Sequence, residues 1–342
     1  MRRPAPARAL ALAAPLGWDA SALAWPALCA VAALAAVLPL WAGRFLPFQD
    51  APQHLAAVRV LADYDVPAFA FRRWFEIDLF RSQYLGFYLP AALLSRALGP
   101  EAACRVVLSL VALALPAASW IFLRSFDRDP RLAVLAPALF PTAPLYLGFF
   151  NFVESVPATI LVIALFEREL RGPRWGRGAA LALWASALLY LHPSGLALAL
   201  GAGALLAATA GVSWRRLLRA LLPFLPAVAL LAAWMATALL AQSPQVVGHT
   251  AATWQPLRDR VLDLLRFWNV LAGHADEAFV AALIVCWMGA ALVPGRARES
   301  RGWRLPLLAA SLIAAYFLVP ESLGAAGSLH LRAIPLLVFV VI

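Results

Sequence analysis

Asp50 and His54 stand one helical turn apart in FQDAPQHL, directly after a long apolar run. A carboxylate and an imidazole at that spacing share one helix face, and the pair can take a proton from a bound hydroxyl. Asn151 and Glu154 stand alone between two apolar runs, in LYLGFFNFVESVPAT. A carboxylate so close to hydrocarbon is costly unless paired, which makes Glu154 a functional candidate. His192, in YLHPSG, closes a helix before Pro193, and His330 and Arg332 share the Gly-rich segment PESLGAAGSLHLRAIP. Either of the last two can bind a phosphate, Arg through two parallel donors. Each candidate also has a plainer reading. Asp50 with Pro52 and Gln53 spells a capping box. Glu154 suits the positive end of a helix dipole, His192 reads as helix punctuation, and His330 with Arg332 as a membrane-surface anchor.

The elements that must position these residues follow from composition. Of 342 residues, 63% are hydrophobic and 13% charged. A soluble domain carries roughly 25% charged residues and cannot bury this much apolar side chain in one core. Cys29, Cys104 and Cys286 all lie in apolar runs, with no metal spacing and no disulfide framework. The net charge of +10 rests on arginine alone, since the chain has no lysine; this is the coding bias of an Ala- and Arg-rich, bacterial genome. The arginines form short clusters between apolar runs, which excludes a nucleic-acid surface. The expected fold is all-α, a polytopic transmembrane bundle forming one integral membrane domain over residues 1–342.

A crossing needs about 20 mainly apolar residues. Such runs lie at 23–43, 105–123, 132–149, 154–170, 178–192, 194–212, 220–241, 278–294 and 305–320. A tenth starts at Ala333 and stops at Ile342, about half a bilayer at 1.5 Å per residue. The expectation is therefore ten or more spans, continuing past residue 342. Residues 1–22 are read as a cytoplasmic tail and 23–43 as an uncleaved anchor. The segment Tyr84–Leu98, with Pro90 and Arg96, decides orientation. If it stays on one side, the clusters at Arg2–Arg8, Arg124–Arg131, Arg168–Arg177, Arg215–Arg219 and Arg296–Arg304 share the cytoplasmic face, as the positive-inside rule favours. The segment is then a juxtamembrane helix on the outer face.

All five histidines (His54, His192, His249, His274 and His330) fall on that outer face, with Asp50 and Glu154. The first outer loop, 44–104, carries an amphipathic helix through Leu55, Val58, Leu61 and Tyr64, and the loop 242–277 carries a second through Leu257, Val261 and Leu264. The charges of the second, Arg258, Asp259, Arg260 and Asp263, are read as solvated, as is the Arg59–Asp63 pair.

This order of features resembles the GT-C glycosyltransferases, polytopic enzymes that use lipid-phosphate sugars, such as protein O-mannosyltransferases and aminoarabinose transferases. The likeness is closest over about residues 45–171. There FQDAPQHLAAVRVL resembles the acidic motif after the first span. YLGFYLPAALLSRALGPEAACRVVLSLVALALPAASWIFLRSF resembles the juxtamembrane helix and second span, and PLYLGFFNFVESVPATILVIALFERELR the third and fourth spans with their short outer loop. The resemblance implies a multi-pass inner-membrane enzyme that moves a sugar from a polyprenyl-phosphate donor to an acceptor outside. Asp50 would be the base. His54 and Glu154 would orient acceptor or sugar, or Asp50 and Glu154 would hold a divalent cation, Mg or Mn. Arg332, His330 and His192 would hold the donor phosphate. A transporter or flippase and a non-catalytic scaffold are the competing readings. Transporters place ionisable groups near the midplane, whereas here they gather at one face.

Overall fold

The computed structural model describes residues 20–80, 82–240, 251–266, 303–323 and 327–341. The tail through residue 19, His249, His274 and the expected span 278–294 lie outside the described residues.

Apolar, Ala- and Leu-rich sequence gives helices almost throughout. They are α1 (Ala20–Ala42), α2 (Ala51–Ala62), α3 (Leu85–Leu98), α4 (Pro100–Ser125), α5 (Phe150–Arg171), α6 (Trp175–Leu191), α7 (Pro193–Ala208), α8 (Trp214–Leu221), α9 (Leu225–Leu240), α10 (Leu257–Arg266), α11 (Arg304–Leu318) and α12 (Ile334–Val341). Among the described residues, four helical stretches are long and apolar enough to cross a membrane. They are Ala24–Ala42, Pro100–Ser125, Phe150–Arg171 and Trp214–Thr237, the last formed by α8 running through a 3-10 turn into α9. The other expected spans appear as shorter helices: α6 for 178–192, α7 for 194–212, α11 for 305–320 and α12 for the last run.

The run 132–149 differs from expectation. Pro130 to Leu139 is a 3-10 helix and Ala143–Tyr146 a single α-turn. Pro130, Pro137, Pro141 and Pro144 remove backbone donors at intervals too short for a continuous α-ladder.

Helix α5 is the centre of the bundle. It is apolar on all sides and buried along most of its length, packing on α4, α6 and α7. Helix α3 begins and ends at the same end of the bundle. Gly86 packs directly on Leu191 at the end of α6, and Glu101, just past α3, accepts a hydrogen bond from the Leu46 amide (2.8 Å) near Asp50.

The opposite end of α5 collects arginines. Glu167 and Arg304, 1% and 2% exposed, pair at 2.9 Å, and Arg171 reaches the same Glu167 oxygen at 3.1 Å. Arg304 also donates to Thr209 Oγ1 (3.2 Å) and the Leu206 carbonyl (2.7 Å). Arg168 donates to Ser125 and Arg171 to Asp127. Arg260 corrects the expectation of a solvated α10. It is buried and donates to the carbonyls of Tyr316 (2.7 Å), Phe317 (2.9 Å) and Val319 (2.8 Å), so it caps the C-terminus of α11. A two-residue antiparallel pair, β1 (Ala252–Thr253) with β2 (Ser322–Leu323), ties the same two segments together. The amphipathic pattern of α10 hid this, because a charged side chain on the polar face can still reach a neighbouring helix end.

Removing one partner of a buried pair costs about 3–5 kcal/mol, whereas replacing both costs less. Glu167→Leu is therefore expected to lower the unfolding temperature sharply, and Glu167→Leu/Arg304→Leu to recover part of the loss. Thermal unfolding in detergent checks this; a Glu167→Leu protein as stable as the wild type would contradict it.

Candidate functional site

The outer-loop candidates gather at the N-terminal end of α5. Phe48 is buried edge-on against Tyr146 and Phe150, and the Gln49 amide donates to the Tyr146 carbonyl at 2.9 Å. Gly148 has φ +89°, and a Cβ there would lie 2.7 Å from the Asp50 Cβ. Only glycine serves both the left-handed backbone and the close approach. Next to this contact His54 bridges two segments. Its Nε2 lies 2.6 Å from the Gly148 carbonyl and its Nδ1 2.8 Å from the Tyr88 hydroxyl. A carbonyl only accepts, so Nε2 carries the proton and Nδ1 accepts from Tyr88. The ring stacks on Phe150 at 4.5 Å. Burial pushes the His54 pKa below its ordinary value, against the weaker effects of the Gly148 bond and nearby Asp50. The Asn151 side chain lies beside the same Tyr88 hydroxyl. His54 is thus a positioning residue with both ring nitrogens engaged.

Asp50 occupies the N-cap position of α2, yet its side chain makes no capping hydrogen bond. The Gln53 amide bonds the Asp50 backbone carbonyl instead, at 3.1 Å. The capping box expected from the sequence does not form, and the half-buried carboxylate is left for other use.

A second group forms where α7 and the 3-10 turn His330–Ala333 meet α5. Arg332 donates to Ser194 Oγ (2.6 Å) and to the Gly327 carbonyl (3.0 Å), and lies 5.9 Å over the Phe152 ring. Its Nε is buried without a hydrogen-bond partner, and among the described residues no carboxylate pairs with it. His192 is the N-cap of α7, its Nδ1 accepting from the Ser194 amide at 3.1 Å, which is the punctuation role. Its ring packs against Tyr84 and Phe152. His330 approaches Asp263 at 3.4 Å and rests on Tyr316. Arg332, His330 and Ser194 open into a cavity of about 420 Å³ walled by Leu198, Leu308 and Leu312, between α7 and α11.

Glu154 lies on the other face of α5. Phe152, Ser155 and Thr159 border the Arg332 side, whereas Glu154, Pro157 and Ala158 line a separate cavity of about 390 Å³ against α3, α4 and α6. The structure therefore joins Asp50 to His54, and His192 to His330 and Arg332, and turns Glu154 away from Arg332. Among the described residues no three His, Cys, Asp or Glu side chains gather around a common centre. Asp50 and Glu154 thus have no third protein ligand beside them among the described residues. Sequence reasoning passed over Tyr88, Phe152, Ser194 and Gly148. Gly148 alone gave a signal, as an isolated glycine among aromatics in YLGFF.

No protein-family model, curated protein or solved structure matches the chain.

His54 sits in α2, outside the apolar spans, and its lowered pKa makes a pH prediction. The unfolded chain takes up the proton first, near the ordinary 6.5, so the stability His54 contributes is complete above that pH and falls as pH drops below it. His54→Gln keeps a donor for Gly148 and an acceptor for Tyr88 but does not titrate. It is expected to lose stability less steeply than the wild type between pH 6.5 and the lower folded-state value. Identical acid slopes for the two proteins would show that His54 is not buried neutral.

Proposed function

We propose that this protein is a polytopic membrane glycosyltransferase that uses a polyprenyl-phosphate sugar. The reading rests chiefly on Arg332: a guanidinium with no carboxylate partner among the described residues, at the head of an apolar cavity, at the same end of the bundle as an uncommitted Asp50. A cation above an apolar groove is the arrangement a lipid phosphate requires. His330 lines the same cavity and adds a donor when its ring is protonated or turned.

In the proposed reaction the acceptor hydroxyl attacks the anomeric carbon, and the bond from that carbon to the phosphate oxygen breaks. The state between is oxocarbenium-like. Asp50 accepts the hydroxyl proton, and polyprenyl phosphate leaves with the bonding electrons, held by Arg332. His54 positions the Asp50 turn through Gly148. The shorter helices α6, α7, α11 and α12 would add crossings to the four long ones, giving a multi-pass protein of the bacterial inner membrane with a cytoplasmic N-terminus. The broken segment at 130–146 is the feature that favours transport instead, since discontinuous helices line transport paths.

Asp50→Asn keeps size and polarity where no capping bond exists to lose. It is expected to unfold at the wild-type temperature and to transfer sugar about 10²–10⁴-fold more slowly. Arg332→Ala is expected to weaken polyprenyl-phosphate binding, and Arg332→Lys to restore part of it, as charge returns without the planar two-point grip. The checks are radiolabelled sugar transfer in proteoliposomes and lipid-phosphate binding. Full activity in Asp50→Asn would remove the base assignment.

Orientation has its own check. Single cysteines at Gly327 and Gly176, at the Arg332 and arginine-rich ends, are expected to differ in intact cells: an impermeant thiol reagent should reach the first and miss the second. Labelling at position 176 would invert the proposed topology.

A further inference from the structure

The cavity on the far face of α5 is a site of its own. Along α4 its lining runs from Val107 to Ile121, about 20 Å at 1.5 Å per residue. Ala114, Ala117 and Ala158 keep it open. Leu110 and Trp184, 59% and 39% exposed, form its rim on the side that bilayer hydrocarbon would cover. Glu154 is its one ionisable lining residue among the described residues. Glu154 Oε2 is buried with no hydrogen-bond partner, and no described cation pairs with the carboxyl group.

A carboxyl group among apolar side chains is costly unless something bonds it. The described chain supplies nothing, which points to a partner carried in by a ligand. That ligand needs a long apolar chain to fill the groove and a donor at one end. A phosphate head group does not fit, since among the described residues no Arg, Lys or His lines the cavity. An ammonium head would make a buried ion pair, whose desolvation offsets much of its Coulomb gain. A hydroxyl can donate to the carboxyl group and brings no second charge to desolvate. We propose that this groove binds a long-chain lipid alcohol, its chain along α4 and its hydroxyl donating to Glu154. The site is separated from Arg332 by α5 and is independent of the transferase reading.

The test uses the full chain in phosphatidylcholine nanodiscs with a photoreactive long-chain primary alcohol, the labelled peptides being mapped by mass spectrometry. Label is expected within residues 85–121 and 150–191, displaced by excess plain alcohol and not by an alkyl phosphate of equal length. Glu154→Leu should reduce labelling about tenfold, the loss of one buried hydrogen bond, and Glu154→Gln, which keeps an acceptor, by less. Ala114→Trp, at an exposed rim position, should block labelling without touching Glu154, and it decides the matter if Glu154→Leu fails to fold. Labelling unchanged in Ala114→Trp, or displacement more effective by an alkylamine than by the alcohol, would overturn the proposal.

Discussion

His54 holds three distant segments at one point, and the geometry of this end of the bundle depends on it. Its ring touches the Gly148 carbonyl, the Tyr88 hydroxyl and the Phe150 face, so α2, α3 and the start of α5 are fixed together. The Gly148 contact is buried and the Tyr88 contact partly so, and a buried donor or acceptor left unmade costs more than a made one contributes. The knot therefore tolerates few alternatives. It also explains Gly148, since the carbonyl that His54 grips belongs to a residue pressed against Asp50. The position of the Asp50 carboxylate is a consequence of the imidazole one turn away.

The second constraint is where charge is placed along α5. Glu154 lies near its start, while Glu167, Arg168, Glu169 and Arg171 lie in its last turns; the stretch between has no ionisable residue. At the late end Glu167 meets two guanidiniums and Glu169 one, so those buried carboxylates are compensated within the protein. At the early end Glu154 has no such partner among the described residues. The same helix thus carries a closed ion network at one end and an open carboxyl group at the other. That asymmetry separates carboxylates compensated inside the bundle from the one on which the proposed lipid site rests.

Much of this was legible in the sequence, because hydrocarbon imposes strong patterns. Run length and apolarity located most helices, periodicity located α2 and α10, and arginine clustering indicated which ends lie together. The misreadings have specific causes. Four prolines between 130 and 144 break the run 132–149 into a 3-10 helix and a single α-turn, although hydropathy there matches a span. The capping box that Asp50, Pro52 and Gln53 spell does not form, because the α2 entrance is fixed by Gly148 and His54 and the carboxylate is not needed there. Arg260 was read as solvated because periodicity reports the face of a residue and not the reach of its guanidinium. Pairings across the fold, such as Tyr88 with His54 or Arg332 with Ser194, have no local signature, since 34 and 138 residues separate the partners.

The electrostatics around Arg332 carry the argument one step further. Phe152, in the first turn of α5, lies under the guanidinium, and Ser194, in the first turn of α7, accepts from it. Helix α12 begins two residues beyond Arg332. Three helix N-termini, each the positive end of a dipole, thus converge on a residue that is itself cationic. A lone arginine is poorly placed in such a field. Its compensation comes from a hydroxyl, a carbonyl and an aromatic face, all neutral groups. Positive potential from the dipoles and the guanidinium then adds at one place with no described anion to absorb it. An incoming phosphate would meet all of these sources together. The same field would disfavour a cationic ligand, so the proposed phosphate site beneath Arg332 and the proposed alcohol site at Glu154 would select different head groups.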